Sequence, residues 1–175
     1  MPNSKERLIE LIQELDCIGY GSYPLASGRV SKYKIFCDAL FENKESRVIL
    51  TELGYDMLRG NENYEIIGIV TGGYEFAKLV AEKAGKEAIE VDVKNNTIRG
   101  KIKEPNGIIF DDVLTKGKTI KNAKSLIISQ YPLMMLEKAK VIADRLEGGK
   151  TKLLKVGIET ESILTKDEII KKLNR

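Results

Sequence analysis

Two adjacent carboxylates, Asp111 and Asp112, stand three residues ahead of a run of hydroxyls, cations and one glycine, Thr115-Lys116-Gly117-Lys118-Thr119. Such a run at a helix start offers backbone N–H donors and the positive end of the helix dipole, and both favour a phosphate. An acid pair beside a phosphate cradle suggests a phosphorylated sugar as ligand. The elements that must position these groups are legible on either side. Gly107–Phe110 is a short apolar, β-branched run that predicts a strand buried on both faces. From Lys118 onward Ile120, Ala123, Ile127 and Ile128 recur at helical spacing. In open α/β sheets ligands lie beyond the carboxyl ends of the strands, so Asp111 and Asp112 at a strand end are placed to meet one.

Gly117-Lys118-Thr119 also forms half of a nucleoside-triphosphate P-loop, but that motif needs a glycine five residues earlier, where this chain has Asp112. Its carboxylate would point into the anion nest. A core strand followed by a merely solvated turn is the plainer reading, and the cost of two adjacent carboxylates without partners argues against it. The stretch resembles instead the signature of the type I phosphoribosyltransferases, a hydrophobic run followed by D-D-V-x-T-x-G-x-[ST], here Asp111-Asp112-Val113-Leu114-Thr115-Lys116-Gly117-Lys118-Thr119.

The 175-residue chain is long enough to bury a core without staples and reads as one domain over 1–175, with no linker or repeat. Cys17 and Cys37 lie far apart in sequence, and there is no His, so a zinc site is not expected and a reducing compartment fits. No run approaches membrane-spanning length and the N-terminus lacks a signal-peptide pattern, which predicts a cytoplasmic protein. A net charge of +3, with Lys and Glu interspersed, argues against a nucleic-acid reader.

In chain order, Ser4–Leu15 predicts an amphipathic helix with a capping-box-like Ser4 and Arg7. Residues 18–38 are glycine-rich and irregular, with a strand from Tyr33 to Cys37; a helix over Lys44–Leu58 turns Val48, Leu50, Leu53 and Leu58 inward. Glu65–Val70 is a second buried strand, followed by Thr71-Gly72-Gly73 and a helix over Tyr74–Ala84. That strand, glycine turn and helix form a step on which phosphates commonly bind, although two glycines alone could be only a tight turn. Ile89–Lys94 and Thr97–Lys103 read as a hairpin around Asn95-Asn96. A strand at Val141–Ala143 leads into Asp144-Arg145-Leu146-Glu147-Gly148-Gly149, which alone could equally be a charged turn. Glu159–Leu164 and Lys166–Leu173 predict a last strand and helix.

Within the phosphoribosyltransferases, these further motifs resemble the orotate phosphoribosyltransferases: Ser27-Gly28-Arg29-Val30-Ser31-Lys32-Tyr33, Thr71–Ala77, and D-R-x-E-G-G at Asp144–Gly149. The resemblance implies a helix-covered, mostly parallel α/β sheet with a small N-terminal hood over about 18–40. It implies transfer of a ribosyl 5-phosphate from 5-phosphoribosyl 1-diphosphate to orotate, with Mg²⁺ carried by the diphosphate near Asp111 and Asp112, in a homodimer. By the same resemblance Asp111 and Asp112 meet the ribose hydroxyls, and Val113, Leu114 and Thr115–Thr119 cradle the 5′-phosphate. Thr71, Gly72 and Gly73 lie under the diphosphate, while Arg145, Thr115 and Ser27 contact orotate. Two departures stand out. Ala26 replaces the Lys that usually precedes Ser-Gly-Arg, and the segment after Gly85 is too short for the family's R-K-x-x-K-x-H-G lid. Lys94, Arg99 and Lys101 are the nearby cations that could substitute, Lys94 being the catalytic candidate. The shortened lid implies slow turnover, or a module that binds the same ligands without catalysis.

Overall fold

The apolar runs around Ile66 and Ile108 become the central strands of a six-stranded sheet. A computed structural model describes residues 3–24 and 30–173. In chain order the elements are α1 (Ser4–Glu14), β1 (Ile18–Pro24), β2 (Val30–Ile35), α2 (Asp38–Glu42), α3 (Lys44–Asp56), β3 (Glu65–Ile69), α4 (Gly72–Lys83), β4 (Ile89–Asp92) and β5 (Thr97–Arg99). They continue with β6 (Asn106–Leu114), α5 (Lys118–Gln130), β7 (Met135–Asp144), α6 (Gly149–Leu154), β8 (Glu159–Thr165) and α7 (Lys166–Leu173). The sheet order is β5-β4-β3-β6-β7-β8. Every pairing is parallel except that of β5, which returns antiparallel against β4.

Strand alternation sorts side chains to two cores. Ile66, Ile108, Phe110 and Ile142 face a layer containing Leu8, Leu50, Phe76 and Val80 from α1, α3 and α4. Ile67, Ile109 and Val141 face Ile120, Ala123 and Ile127 of α5 and Leu153 of α6. Phe76 and Phe110 meet edge to face, centroids 5.3 Å apart, and fasten α4 to β6.

Several boundaries differ from the sequence reading, each for a local reason. Asn3, not Ser4, caps α1, its side chain accepting from Lys5 N, and Arg7 bridges Glu14 and Glu45 at 2.7 Å each, tying α1 to α3. Val48 is 62% exposed rather than inward, because α3 buries only a narrow stripe through Ser46, Leu50 and Gly54. Residues 18–24, read as irregular, form β1, which pairs antiparallel with β2 in a separate two-stranded sheet; β2 ends at Ile35, short of the expected Cys37. The short helix α2 went unread. Helix α4 starts at Gly72, two residues earlier than its side-chain pattern suggests. The hairpin exists, with Asp92 opposite Thr97, but its second strand stops at Arg99 instead of Lys103. β7 runs from Met135, well before Val141, since Lys138 and Lys140 are accommodated by Asn61 and Glu161 instead of breaking the strand. Ser27 lies outside the described residues.

Candidate active site

The sheet changes direction at β3 and β6. From β3 the chain crosses through α4 on one face, and from β6 it crosses through α5 on the other. A crevice at such a switch point, outside the carboxyl ends of the strands, is where open α/β sheets bind ligands. β3 makes its last pairing with β6 at Gly68 and Phe110. Asp111 and Asp112 therefore do not follow the strand, as the sequence suggested; they lie inside β6, which continues to Leu114 held by β7 alone. The acid pair occupies the part of β6 that has outrun β3.

Thr71–Gly73 fills the space so vacated. A Cβ on Gly72 would stand 2.6 Å from Asp112 Cγ, and one on Gly73 would stand 2.7 Å from Asp111 Cα. No side chain fits at either position, so the backbone of the glycine turn comes directly against the acid pair. The peptide between Val70 and Thr71 is cis. Asp111 is buried and its Oδ1 accepts from Asp112 N at 3.0 Å, while Asp112 Oδ1 accepts from Val113 N at 2.8 Å. Burial first, and then the negative charge of Asp112, raise the Asp111 carboxyl well above the usual range.

Two helices open onto this crevice without caps of their own. Thr71 precedes α4 and Gly117 precedes α5, and neither supplies a side-chain hydrogen bond to the first turn. Gly117 is left-handed at φ +75°, and a Cβ there would meet Leu153 Cγ at 2.8 Å. Glycine is thus required twice over, by backbone conformation and by the close approach of α6. The first-turn N–H groups of both helices are left to a ligand, the arrangement that binds anions at helix starts.

Arg145 follows β7 and is 5% exposed; its N–H donates to Leu114 O at 2.9 Å, and its guanidinium pairs with Glu147 at 2.8 Å. Asp144 accepts from Leu146 N at 2.8 Å, holding Leu146 at φ +57°. This turn brings Glu147 to a cavity shared with Thr115–Thr119. Lys94 is at the exposed tip of the β4–β5 hairpin, on the same sheet edge as Thr71, since Val70 N bonds Val91 O. Arg99 and Lys101 are not so placed: Arg99 pairs with Glu90 at 3.1 Å, toward the base of the hairpin, and Lys101 lies farther along. Sequence reading missed Cys37, whose buried thiol is pushed up first by burial and then by the charge of Asp112. Only its place in the fold brings it near the acid pair, so no local signal could have found it. Among the described residues no helix is long and apolar enough to cross a membrane.

The fold is that of the phosphoribosyltransferases. The chain aligns with the crystal structure of orotate phosphoribosyltransferase from Aeropyrum pernix at a TM-score of 0.87, with 24% identity, covering 96% of this chain and 99% of that one. It aligns with adenine phosphoribosyltransferase from Saccharomyces cerevisiae at 0.64, with 16% identity, covering 90% and 99%. No protein-family model matches the chain. Orotate phosphoribosyltransferase of Sulfolobus acidocaldarius is 30% identical over 159 residues, covering 87% of this chain and 80% of the relative. That of Methanocaldococcus jannaschii is 29% identical over 174 residues, covering 95% and 97%. The chain belongs to the orotate phosphoribosyltransferase family.

Proposed function

We propose that this protein transfers the 5-phosphoribosyl group of 5-phosphoribosyl 1-diphosphate to orotate, forming orotidine 5′-phosphate and diphosphate. The observation that carries the reading is the pair of uncapped helix starts flanking an acid pair, buried Asp111 and half-buried Asp112, at the β3/β6 switch point, in a member of this family. In the reaction the bond from the anomeric carbon to the diphosphate oxygen breaks, and a bond from the orotate ring nitrogen to that carbon forms. The positive charge that develops on the sugar is stabilised by fixed negative groups nearby.

Each segment then has a task. The N–H groups of Thr71, Gly72 and Gly73 support the diphosphate. Thr115–Thr119, with the backbone of Val113 and Leu114 fixing the loop, hold the 5′-phosphate. Asp111 and Asp112 accept from the ribose hydroxyls, which orients the anomeric carbon toward the base. Arg145, steadied by Glu147, pairs with the orotate carboxylate through its planar fork, beside the Thr115 hydroxyl. Lys94 is the cation at the hairpin tip available to the leaving diphosphate.

Mg²⁺ fits this donor set as an ion held mainly by ligand oxygens. Among the described residues no three His, Cys, Asp or Glu converge to cage a metal, while the carboxylates of Asp111 and Asp112 are hard donors of the kind that assist such an ion. When bound, it would neutralise charge on the leaving diphosphate. We further propose one domain over the chain, a homodimer and a cytoplasmic location. The test is an assay of orotate-dependent diphosphate release with 5-phosphoribosyl 1-diphosphate, repeated on Asp111→Asn/Asp112→Asn. Orotidine 5′-phosphate should form with the wild type and fall by at least about 100-fold in the variant, the scale of a lost electrostatic contact to a transition state. Tight binding of both ligands with no product would point to a non-catalytic module.

A further inference from the structure

Leu146 carries backbone strain beside the residue assigned to the base. At φ +57° it lies in the left-handed region that bulky side chains rarely adopt, and it is 48% exposed, so burial does little to hold it there. Strain of this kind persists only where neighbouring groups impose it, and it collects at functional sites. Here the imposing group is Asp144, whose Oδ1 accepts from Leu146 N at 2.8 Å. Arg145 stands between the two, its own N–H fixed on Leu114 O at 2.9 Å. Arg145 and Glu147 flank Leu146 and pair with each other at 2.8 Å. A Leu146 relaxed to negative φ would swing Glu147 away from the guanidinium, so the pair depends on the strained turn between them.

The carboxylate that ties this turn down needs a partner of its own. The Asp144 side chain is 3% exposed, and an ionised group so buried is costly unless it is paired. Its other oxygen, Oδ2, faces Lys150 Nζ at 3.5 Å, and the same ammonium donates to Ser162 Oγ of β8 at 3.2 Å. Lys150 extends from the start of α6, which is a rigid point: a Cβ on the preceding Gly149 would stand 2.5 Å from Thr115 O. The contacts thus run from β8 through Lys150 and Asp144 to the amide of Leu146.

We propose that Lys150 is a positioning residue for base recognition: it holds Asp144, Asp144 holds Leu146 left-handed, and Leu146 so held keeps Arg145 and Glu147 paired and set for the orotate carboxylate. The inference rests on the proposed role of Arg145. Lys150→Met keeps the aliphatic stem and removes the charge. In steady-state kinetics it should raise KM for orotate about tenfold while kcat and KM for 5-phosphoribosyl 1-diphosphate stay within about twofold, the pattern of binding lost for one substrate only. Lys150→Arg keeps the charge and should return KM for orotate to within about threefold of the wild type. Glycine adopts a positive φ without strain, so Lys150→Met made in a Leu146→Gly background should change KM for orotate by less than about threefold. Without any ligand, NMR hydrogen exchange should find the Leu146 amide at least about tenfold faster in Lys150→Met. A fall in kcat with both KM values unchanged, an equal rise in both KM values, or the full loss persisting in the Leu146→Gly background would overturn the proposal. So would an unchanged exchange rate at Leu146, or a Ser162→Ala variant that reproduces the kinetic loss, since Lys150 would then be only a tie between α6 and β8. If the wild type forms no orotidine 5′-phosphate, the transfer reading fails, and the exchange measurement still decides whether Lys150 holds the turn.

Discussion

Apart from the short helices α2 and α6, which also lack a side-chain cap, helix starts in this molecule are of two kinds. Away from the crevice, α1 begins under Asn3, α3 under Asn43, and α7 under Thr165, whose hydroxyl accepts from Glu168 N while the Glu168 carboxylate accepts from Thr165 N. These helices satisfy their own first-turn donors in the way that stabilises a fold. At the crevice, α4 and α5 follow Thr71 and Gly117 with no side-chain cap. The contrast separates residues kept for stability from residues kept for ligands. It also explains why the acid pair faces the latter: carboxylates and open N–H groups meet the two kinds of group on one sugar phosphate.

The sharpest way to break this comparison is to close the crevice without touching a cap. Gly72→Ala places a methyl against the Asp112 carboxylate. Displacing the glycine turn by about 1 Å should lower kcat/KM for 5-phosphoribosyl 1-diphosphate by about 100-fold. Steady-state kinetics with unchanged far-UV circular dichroism would show that the loss is local. Next in size, Arg145→Leu should weaken orotate by about 1.5–3 kcal/mol while sparing the sugar diphosphate, because only the carboxylate loses a charged partner. Equal weakening of both ligands by calorimetry would make the Arg145–Glu147 pair a structural clasp instead.

Asp111 sharpens the comparison from the side of stability. Its carboxyl is raised by burial and by Asp112. A raised carboxyl favours the folded protein while it stays protonated, and that advantage is lost as pH climbs from the unfolded value, about 3.9, through the folded one. Asp111→Asn removes the ionisation. Its melting temperature should match the wild type below about pH 4 and exceed it increasingly toward neutrality, while sugar-diphosphate binding is lost. A wild type as stable as the variant at pH 7 would mean the acid pair is not strained in the free protein. Smallest, Asn43→Ala should cost about 1 kcal/mol of stability through Glu45 N and Ser46 N and leave both substrates' affinities unchanged.

Much of this was readable in the chain. The β3 and β6 cores, the helix from Lys118 and the final strand and helix follow from apolar periodicity, and the order of the motifs carried the family. What resisted was whatever depends on neighbours. The sequence could not show that β6 runs on past Asp112, because two carboxylates inside a strand are tolerated only where β7 continues to pair with it and β3 has stopped. Nor could it separate Lys94 from Arg99, which differ through the hairpin register and the partner Glu90. The close approach of Leu153 to Gly117 and of Gly149 to Thr115, between segments more than 30 residues apart, likewise left no local signal.

The brief strand β5 has a meaning beyond catalysis. A sheet that ended at β4 would present the backbone groups of Glu90 and Asp92, which point away from β3, to any other chain with unpaired strand groups. Three residues returning antiparallel, with the charged Arg99 at their end, cover that rim while offering too little ladder for another strand to extend. The hairpin thus guards against fibrous self-association. A longer lid engineered into this segment at the expense of β5 would close the crevice from above and, in the same stroke, leave the sheet sticky at its side.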